Sequence, residues 1–277
     1  MNDLDIQDIE IRLFLESVAM RYQLDFRDYA EASLKRRVLK CFKSSGLRTI
    51  SEMIPEVLYN KKFLDRFLKD MSVSVTEMFR DPEIFKVIRH SVLSQFKNYP
   101  TIKIWHAGCA TGEEAYSMSI LLNELNLLDR STIYATDYNN ESLKHAQKGI
   151  FSASHIKDYT KKYQDSGGKR SFSEYYHAQY DAGILQEHLK QKIVFAHHNL
   201  SKDKEFTDCH LIFCRNVLIY FNLELQNKVL ELFDRSLATG GFLILGKGDR
   251  MMHKILKNKY LPYQGHQDIL VKKASDE

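Results

Sequence analysis

Apolar residues recur every three or four positions through the first seventy residues of the chain, the spacing of amphipathic helices. A Ser-Ser-Gly sequence at 44–46 ends one of these runs, and no strand-like alternation interrupts them. The positions that set the spacing are Ile6, Ile9, Leu13, Val18, Leu34, Val38, Leu39, Phe42, Phe63, Phe67, Leu68 and Met71. The pattern predicts a small all-α N-terminal domain over residues 1–72. A connector over 73–94 follows, in which Pro82 begins a helix that runs towards Phe96.

From residue 101 the pattern changes to short apolar runs that alternate with helical stretches. The runs that resemble strands are 102–105, 132–136, 193–197, 211–214, 241–245 and 269–271, and the helical stretches are about 113–126, 140–149 and 222–238. Such alternation is typical of a mostly parallel, Rossmann-like sheet with helices on both faces, here within an α/β domain over residues 95–277. Residues 151–191 break the rhythm with a polar, aromatic tract, which predicts a small inserted subdomain.

A glycine-containing turn at 108–112 joins the first strand to the helix that follows it. Gly108 and Gly112 are four residues apart, unlike the G-x-G-x-x-G turn that holds a dinucleotide. Glu113 and Glu114 open the helix, and acids in a first turn suit the helix dipole but repel a pyrophosphate. A cationic ligand with hydroxyl groups fits this turn better, and S-adenosylmethionine is such a ligand.

Two polar residues follow strands whose carboxyl ends should face the same crevice of the sheet. Asp137 ends the second strand, where a carboxylate can accept two hydrogen bonds from a ribose diol. The alternative is that Asp137 caps the helix that begins near Asn139. Asn216 follows the fourth strand, and its alternative is an ordinary strand exit with the amide bonded to backbone. No proline follows Asn216, which disfavours the Asn/Asp-Pro-Pro-aromatic motif of enzymes that methylate amino groups of bases.

Composition narrows the class of protein without naming a ligand. The chain has 277 residues, 44% of them hydrophobic and 27% charged, which is ordinary for a globular protein that buries a core. No apolar run approaches the roughly 20 residues of a membrane span, and the first residues are acidic, unlike a signal peptide. A net charge of +4 is too mild to indicate nucleic acid. We therefore expect a cytoplasmic protein that is not inserted in a membrane.

Neither cysteines nor histidines form a metal-binding pattern. The residues concerned are Cys41, Cys109, Cys209, Cys214, His106, His197 and His198. The cysteines lack C-x-x-C spacing, so we expect reduced thiols and no metal site. Cys109 would be sensitive to alkylation if it touched a cofactor. No histidine has a carboxylate or cysteine at ligand spacing, which favours core or surface roles for all three.

Five short motifs stand in order along the chain: TEMFR at 76–80, GCATGEEAYS at 108–117, ATD at 135–137, NL at 199–200 and CRNVLIYF at 214–221. Together they resemble the signature motifs of the chemotaxis receptor glutamate methyltransferases, the CheR family. The resemblance covers nearly the whole chain and is strongest from about 73 to 246. It implies an AdoMet-dependent protein-glutamate O-methyltransferase, which uses S-adenosyl-L-methionine (AdoMet) and releases S-adenosyl-L-homocysteine (AdoHcy).

The resemblance also implies a cofactor site. The positions it implies are Ser74, Thr76, Arg80, Gly108, Glu114, Asp137, Asn199, Leu200, Asn216 and Val217. Asp137 would hold the ribose, Asn199 and Leu200 would flank the adenine, and Glu114 would face the cationic end of AdoMet.

The chain departs from the family pattern at three places. Ser74 stands where the family usually has asparagine, and Met78 replaces a usual aromatic residue. The sequence GKGD at 246–249 stands where relatives usually have Gly-His-Ser-Glu. Lys247 thus places a permanent charge where the family has a titratable ring, which bears on substrate geometry more than on cofactor binding.

The resemblance to the CheR family also implies that Arg80 and Tyr220 face the acceptor carboxylate and act as the catalytic residues. A glutamate has a reference pKa of about 4.3, so the nucleophile is ionised at neutral pH and needs no general base. The enzyme then has to align the carboxylate with the methyl group and remove water. The alternative for Arg80 is a surface salt bridge with Asp81 or Glu83. For Tyr220 the alternative is a half-buried aromatic role.

A basic run without acids lies between residues 35 and 48, and its members are Lys35, Arg36, Arg37, Lys40, Lys43 and Arg48. On a helix, Arg36, Lys40 and Lys43 share one side. A solvated face is the usual explanation for such a run. In the resembled family a basic helix faces the acidic methylation helices of the receptor, so the cytoplasmic helical bundle of a chemoreceptor is the expected partner, through residues 35–43. Residues 151–191 could dock a receptor peptide by strand addition, although their sequence does not match the family pattern closely.

Two other functions fit the same motifs. The first is a methyltransferase that acts on a small molecule or RNA and uses the basic helix as a phosphate-binding patch. The second is a module that senses AdoMet or AdoHcy without turnover, in which the departure at 246–249 marks lost catalysis.

Overall fold

The computed structural model describes residues 3–22, 24–71, 76–205, 208–249 and 254–274. Its contacts divide the chain into two compact units. The first consists of residues 1–73 together with 218–226, and the second of residues 74–217 together with 227–277. The sequence pattern had suggested one boundary after residue 72, whereas this division also assigns a distant segment to the N-terminal unit.

Four helices build the first unit: α1 (Asp3–Tyr22), α2 (Glu31–Ser45), α3 (Met53–Tyr59) and α4 (Lys61–Met71). The predicted all-α character is confirmed. Phe14 and Phe67 are fully buried and pack edge to face, with ring centroids 4.9 Å apart. Helix α2 ends at Gly46, whose φ of +75° is the left-handed conformation that glycine adopts at low cost.

Most of the apolar positions that the spacing indicated on α1 are not buried. Ile6, Ile9 and Leu13 are 45%, 49% and 51% exposed, whereas Val18, the fourth position of that set, and Phe14, outside it, are fully buried. The helix carries apolar residues on more than one side, so periodicity alone does not decide which side packs. The neighbouring helices make that choice.

Residues 218–226 join the first unit through backbone bonds. Ala30 N donates to Tyr220 O at 2.8 Å, and Asn222 N donates to Asp28 O at 2.7 Å. Phe221 pairs with Tyr29 in an isolated antiparallel bridge, and their rings meet edge to face at 5.1 Å. These bonds fix the segment that follows the CRNVLIYF motif.

A seven-stranded sheet forms the centre of the second unit. Its strands are β1 (Ile102–Ala107), β2 (Ser131–Asp137), β6 (Ile193–His197), β7 (Cys209–Cys214), β8 (Leu237–Leu245), β9 (Tyr260–Tyr263) and β10 (His266–Lys272). They lie in the order β6-β2-β1-β7-β8-β10-β9. Pairing is parallel from β6 to β8, and β10 is antiparallel to both neighbours. All six predicted strands are present. The sequence missed β9, an edge strand that accommodates Pro262.

Helices cover this sheet, and the Rossmann-like α/β prediction is confirmed. They are α5 (Pro82–Val87), α6 (Glu113–Glu124), α7 (Asn140–Lys148), α10 (Leu223–Ser236) and α11 (Lys254–Lys259). The helix predicted from Pro82 continues past α5 as a π-helical turn, Ile88–Val92, and a 3-10 turn, Leu93–Phe96.

The predicted insertion forms a small α/β subdomain. It contains α8 (Ala153–Asp165), α9 (Glu187–Lys190) and a three-stranded antiparallel sheet of β3 (Ile150–Ser152), β4 (Tyr176–Gln179) and β5 (Ala182–Leu185), in the order β3-β5-β4. Glu124 of α6 anchors it by accepting hydrogen bonds from Tyr163 and, at 2.8 Å, from Tyr175. Arg89 pairs with the same carboxylate.

Within the described ranges, no helix combines the length and apolar character needed to cross a membrane. The same ranges hold no cluster of three or more His, Cys, Asp or Glu side chains arranged to bind a metal ion. All four cysteines are buried free thiols. Cys109 is only 4% exposed, and burial raises the pKa of its thiol well above the usual value. A protonated, enclosed thiol is a poor nucleophile.

Candidate active site

The glycine turn binds the carboxyl ends of two strands together. Gly108 N and Cys109 N both donate to Thr136 O of β2, at 2.8 and 2.9 Å. Gly108 has a φ of +76°, and a Cβ added there would lie 2.6 Å from a methyl carbon of Val217, which follows β7. Glycine is therefore required both for the backbone conformation and for the close approach of the β7 exit.

Asp137, at the end of β2, is fixed to the same turn. Its Oδ2 accepts from Ala110 N and its Oδ1 from Asn139 N, both at 2.9 Å. Burial raises the pKa of this carboxyl, and the backbone hydrogen bonds oppose that effect. Asn139 is the residue that caps α7, because its Oδ1 accepts from the amides of Glu141 and Ser142. The helix cap is thus supplied by Asn139 and not by Asp137.

Glu114 is held by two donors from neighbouring strands. Its Oε1 accepts from His106 Nδ1 at 3.0 Å and its Oε2 from Arg215 Nη1 at 2.9 Å. Burial alone would raise the pKa of Glu114, but the His106 hydrogen bond and the Arg215 charge outweigh it and lower the pKa. The His106 ring is 1% exposed and stacks on Phe213 at 4.5 Å. His106 has the core position that its sequence suggested. Its hydrogen bond to Glu114 was missed, because the two residues lie on different elements.

Glu113, the neighbouring acid, faces a different environment. Its side chain is buried, Thr111 Oγ1 donates to its Oε2 at 2.6 Å, and Tyr159 of α8 hydrogen-bonds to it. Burial raises the pKa of Glu113 to about 7, because few charged partners compensate the loss of water. The pKa values of these adjacent glutamates of one motif are therefore shifted in opposite directions.

Arg215 joins two of the predicted site segments. Its side chain is 1% exposed, and Nη2 donates to Asp81 Oδ2 at 2.5 Å while Nη1 bonds Glu114. Asp81 is thus engaged by Arg215 and not by Arg80. Among the described residues, neither Asp81 nor Glu83 forms a salt bridge with Arg80, which is partly buried. Sequence reasoning overlooked Arg215, since nothing local distinguishes it from any other arginine after a strand.

Asn216 lies beside Arg215 in the left-handed conformation, with a φ of 60°. Asp249 holds it there by accepting hydrogen bonds from Asn216 N and, at 3.1 Å, from Gly246 N. The buried Asn216 Oδ1 has no hydrogen-bond partner in the described part of the chain. Asp249 therefore gives the unusual 246–249 sequence a structural role, while Lys247 is exposed.

The remaining predicted residues fall in three places. Asn199 and Leu200 are partly buried after β6, where Asn199 Oδ1 accepts from Ser201 N at 3.0 Å. Thr76 is also partly buried, and Ser74 lies outside the described residues. Tyr220 belongs to the first unit, where its ring centre is 4.4 Å from the Arg37 guanidinium carbon.

The structure therefore places predicted residues of the second unit at the carboxyl ends of four adjacent parallel strands. His198 N, after β6, donates to Asp137 O at 3.1 Å, which extends the chain of contacts from β6 to β7. This end of an open α/β sheet is where ligands bind.

Known families match this chain along most of its length. The model of the CheR methyltransferase all-α domain matches residues 9–72, and that of the CheR methyltransferase SAM-binding domain matches residues 74–264. The chain belongs to the CheR methyltransferase family. S-adenosylmethionine is the cofactor of this CheR chain.

Individual CheR relatives agree in length as well as in sequence. A Pseudomonas putida protein named as the methyltransferase Cher3 is 42% identical over 265 residues, which cover 96% of this chain and 97% of that one. A chemotaxis protein methyltransferase of Listeria innocua is 28% identical over 232 residues, 83% of this chain and 86% of that one. Another, from Vibrio cholerae, is 27% identical over 264 residues, 91% of this chain and 92% of that one.

The residues at this CheR site fit the cofactor. AdoMet carries a sulfonium, an ammonium and a ribose diol, all of which seek acceptors or negative charge. The site offers the carboxylates of Asp137 and Glu114 and the unpartnered Oδ1 of Asn216. A carboxylate has about four lone-pair positions, so each acid can accept further hydrogen bonds beside those it already makes.

Proposed function

We propose that the protein transfers the methyl group of AdoMet to glutamate side-chain carboxylates of chemoreceptors, giving glutamate methyl esters and AdoHcy. The observation that carries the proposal is the state of Arg80. Its guanidinium forms no ion pair with the described residues, while the next residue, Asp81, is tied through Arg215 to Glu114. The Arg80 guanidinium is therefore available to pair with an anionic group, such as the carboxylate of a methyl acceptor.

The chemistry asks little of the protein beyond placement. Bound AdoMet supplies an electrophilic methyl group on a sulfonium centre. A glutamate acceptor is already ionised at neutral pH, so no residue has to remove a proton. Arg80 would pair with the carboxylate and Tyr220 would donate its hydroxyl to it, and together they would orient the nucleophile and replace its water.

The basic face of α2 supports a receptor bundle as the partner. Arg36, Lys40 and Lys43 are exposed, although Lys40 also pairs with Asp70 at 2.9 Å. Arg37 is 5% exposed and so lies outside this surface. An exposed row of like charges steers association with an acidic helix more than it stabilises the protein. This partner would place the protein in the cytoplasm, and it would need neither a metal nor nucleic acid.

Methyl-transfer assays test the proposal directly. The protein is incubated with AdoMet that carries a labelled methyl group and with cytoplasmic fragments of chemoreceptors, and the labelled fragments are then exposed to mild base. We expect label that base releases as methanol, the behaviour of a carboxyl ester. Base-stable label, or label only on a small molecule or RNA, would indicate another acceptor. Binding of AdoMet and AdoHcy without any transfer would indicate a sensing module.

A further inference from the structure

We infer that Asp81 and Arg215 are positioning residues that hold Arg80 and Glu114 in one fixed arrangement. The inference rests on the proposed function, because it assigns Arg80 to the acceptor and Glu114 to the cofactor. It adds a physical link between these two roles, made of side chains that touch neither ligand in the proposal.

The guanidinium of Arg215 forms this link, because it bonds two carboxylates at once. Arg215 leaves the end of β7 with its side chain 1% exposed, and it bonds Glu114 through Nη1 at 2.9 Å and Asp81 through Nη2 at 2.5 Å. The donors of a guanidinium are fixed in one plane, so placing one acid constrains the other. A lysine at this position would supply the charge without that geometry.

The backbone around Arg80 shows that the segment is held under constraint. Phe79 and Asp81 have φ angles of 52° and 54°, which non-glycine residues adopt rarely and keep only where the surroundings impose them. Phe79 is held by its amide, which donates to Ser117 Oγ at 2.8 Å, and by edge contacts of its ring with Phe85.

Asp81 is held from the other side. Its carbonyl accepts from Ile84 N at 2.9 Å at the start of α5, and its carboxylate is bound by Arg215. Arg80 thus has a backbone that is fixed on both sides and a side chain free of described ion pairs. The position of the Arg80 backbone is thus fixed, while its guanidinium stays available for a ligand.

Charge supports the same assignment. Asp81 and Glu114 carry two negative charges against the single positive charge of Arg215, and the Glu114 pKa is lowered, so its carboxylate is ionised at neutral pH. The Arg215 bridge therefore leaves an ionised carboxylate at Glu114, where a cationic cofactor group would bind.

Removing the Asp81 charge separates positioning from simple stabilisation. Asp81 is 37% exposed, so we expect Asp81→Asn to fold. Turnover should fall roughly 10-fold, while the KM for the receptor fragment and the Kd for AdoMet should stay within about 3-fold. The reason is that the Arg80 guanidinium, which pairs with the acceptor carboxylate, is still present but is misplaced. Glu83→Gln is the matched control: this acid is exposed in the same segment, and its substitution should leave all three constants unchanged.

A double substitution decides whether Asp81 acts through Arg80. In an Arg80→Ala background, Asp81→Asn should lower turnover by less than about 2-fold, since the side chain that it positions is gone. An undiminished effect in that background would show that Asp81 only stabilises the fold, and would overturn the inference.

Hydrogen exchange in the protein without cofactor gives a readout that needs no activity. Peptides covering residues 76–85 should exchange faster in Asp81→Asn and in Arg215→Lys than in wild type, and at the wild-type rate in Glu83→Gln. Arg215→Lys should also weaken AdoMet binding roughly 10-fold by releasing Glu114. Unchanged exchange in both variants would overturn the inference. If wild-type protein labels no receptor, the proposed function fails, while exchange and AdoMet affinity still test the link.

Discussion

Charged residues do different work in the two regions that the sequence marked as functional. At the proposed cofactor site, the side chains of Glu114 and Arg215 are only 14% and 1% exposed and are bonded to each other. On α2, Lys35 pairs with Asp8 while the two side chains are 32% and 54% exposed. Breaking a buried pair costs roughly 3–5 kcal/mol, whereas an exposed pair contributes about 0–1 kcal/mol. The first region therefore sets geometry, and the second supplies a positive field that the proposed partner would meet at a distance.

Arg37 shows that position in a basic run does not decide which kind of work a residue does. It is 5% exposed, lies over the Tyr220 ring, and donates from Nη1 to Met71 O at 2.5 Å. Of its neighbours, Arg36 is exposed and Lys35 is partly exposed. One member of the run is thus a structural residue of the helical unit.

The largest effect is expected at Asp137. Asp137→Ala removes the proposed ribose acceptor and leaves the amides of Ala110 and Asn139 without their partner, so we expect AdoMet affinity to fall roughly 10³-fold. Calorimetry measures this directly. Asp129→Ala, an exposed acid just before the other end of the same strand, is the control. Undiminished affinity in the Asp137 variant would contradict the site assignment.

Arg80→Ala should produce the next largest effect, and it should fall on turnover. We expect kcat to drop roughly 10²-fold with AdoMet affinity changed by less than about 3-fold, because the side chain is proposed to act mainly on the acceptor. Steady-state kinetics and calorimetry on the same preparation separate the two quantities. Equal losses in both would move Arg80 wholly into the cofactor site.

The pH dependence of protein stability tests the effect of burying the Glu113 carboxyl group. Its pKa in the folded protein is raised to about 7, so its contribution to stability is fully present below its unfolded pKa and is lost as pH rises through 7. Glu113→Gln cannot ionise and should be more stable than wild type by roughly 2 kcal/mol at pH 8, with the difference vanishing near pH 4. Chemical denaturation at several pH values measures the gap. A gap that is constant with pH would show that another group causes it.

The smallest intrinsic effect is expected on α2. Arg36→Glu combined with Lys43→Glu should change the free energy of unfolding by less than about 0.5 kcal/mol. The same variant should raise the KM for receptor fragments roughly 10-fold at low salt and much less at high salt. Lys61→Glu with Lys62→Glu makes the same charge change on another helix of the unit. Equal effects from both pairs would mean that α2 is not the docking face.

Much of the fold was predictable because its determinants are local. The strands, the glycine turn and Asp137 follow from short apolar runs, small residues and their spacing. The buried face of α1 and the edge strand β9 were not predictable, since neighbours selected the first and Pro262 disguised the second.

The links within the site could not be predicted for a related reason. Glu114 meets Arg215 across 101 positions of sequence, and only the pairing of β1 with β7 brings these two residues together. His106 lies 8 positions before Glu114, but the two are on different elements, and their contact depends on the geometry of the turn between them. The high pKa of Glu113 likewise depends on burial, which no pattern in the motif reports.

Because residues 218–226 belong to the helical unit, neither unit corresponds to one continuous stretch of the chain. The chain passes from one unit into the other three times, near residue 73, after Val217 and after Gln226. A fragment that starts at residue 74 would keep Phe221 and Tyr220 but lose Tyr29 and Ala30, the residues that bind them. A new N-terminal part joined to this chain by recombination would therefore have to supply residues that bind Tyr220 and Phe221 as Ala30 and Tyr29 do, or the nine residues 218–226 would have to be exchanged with it.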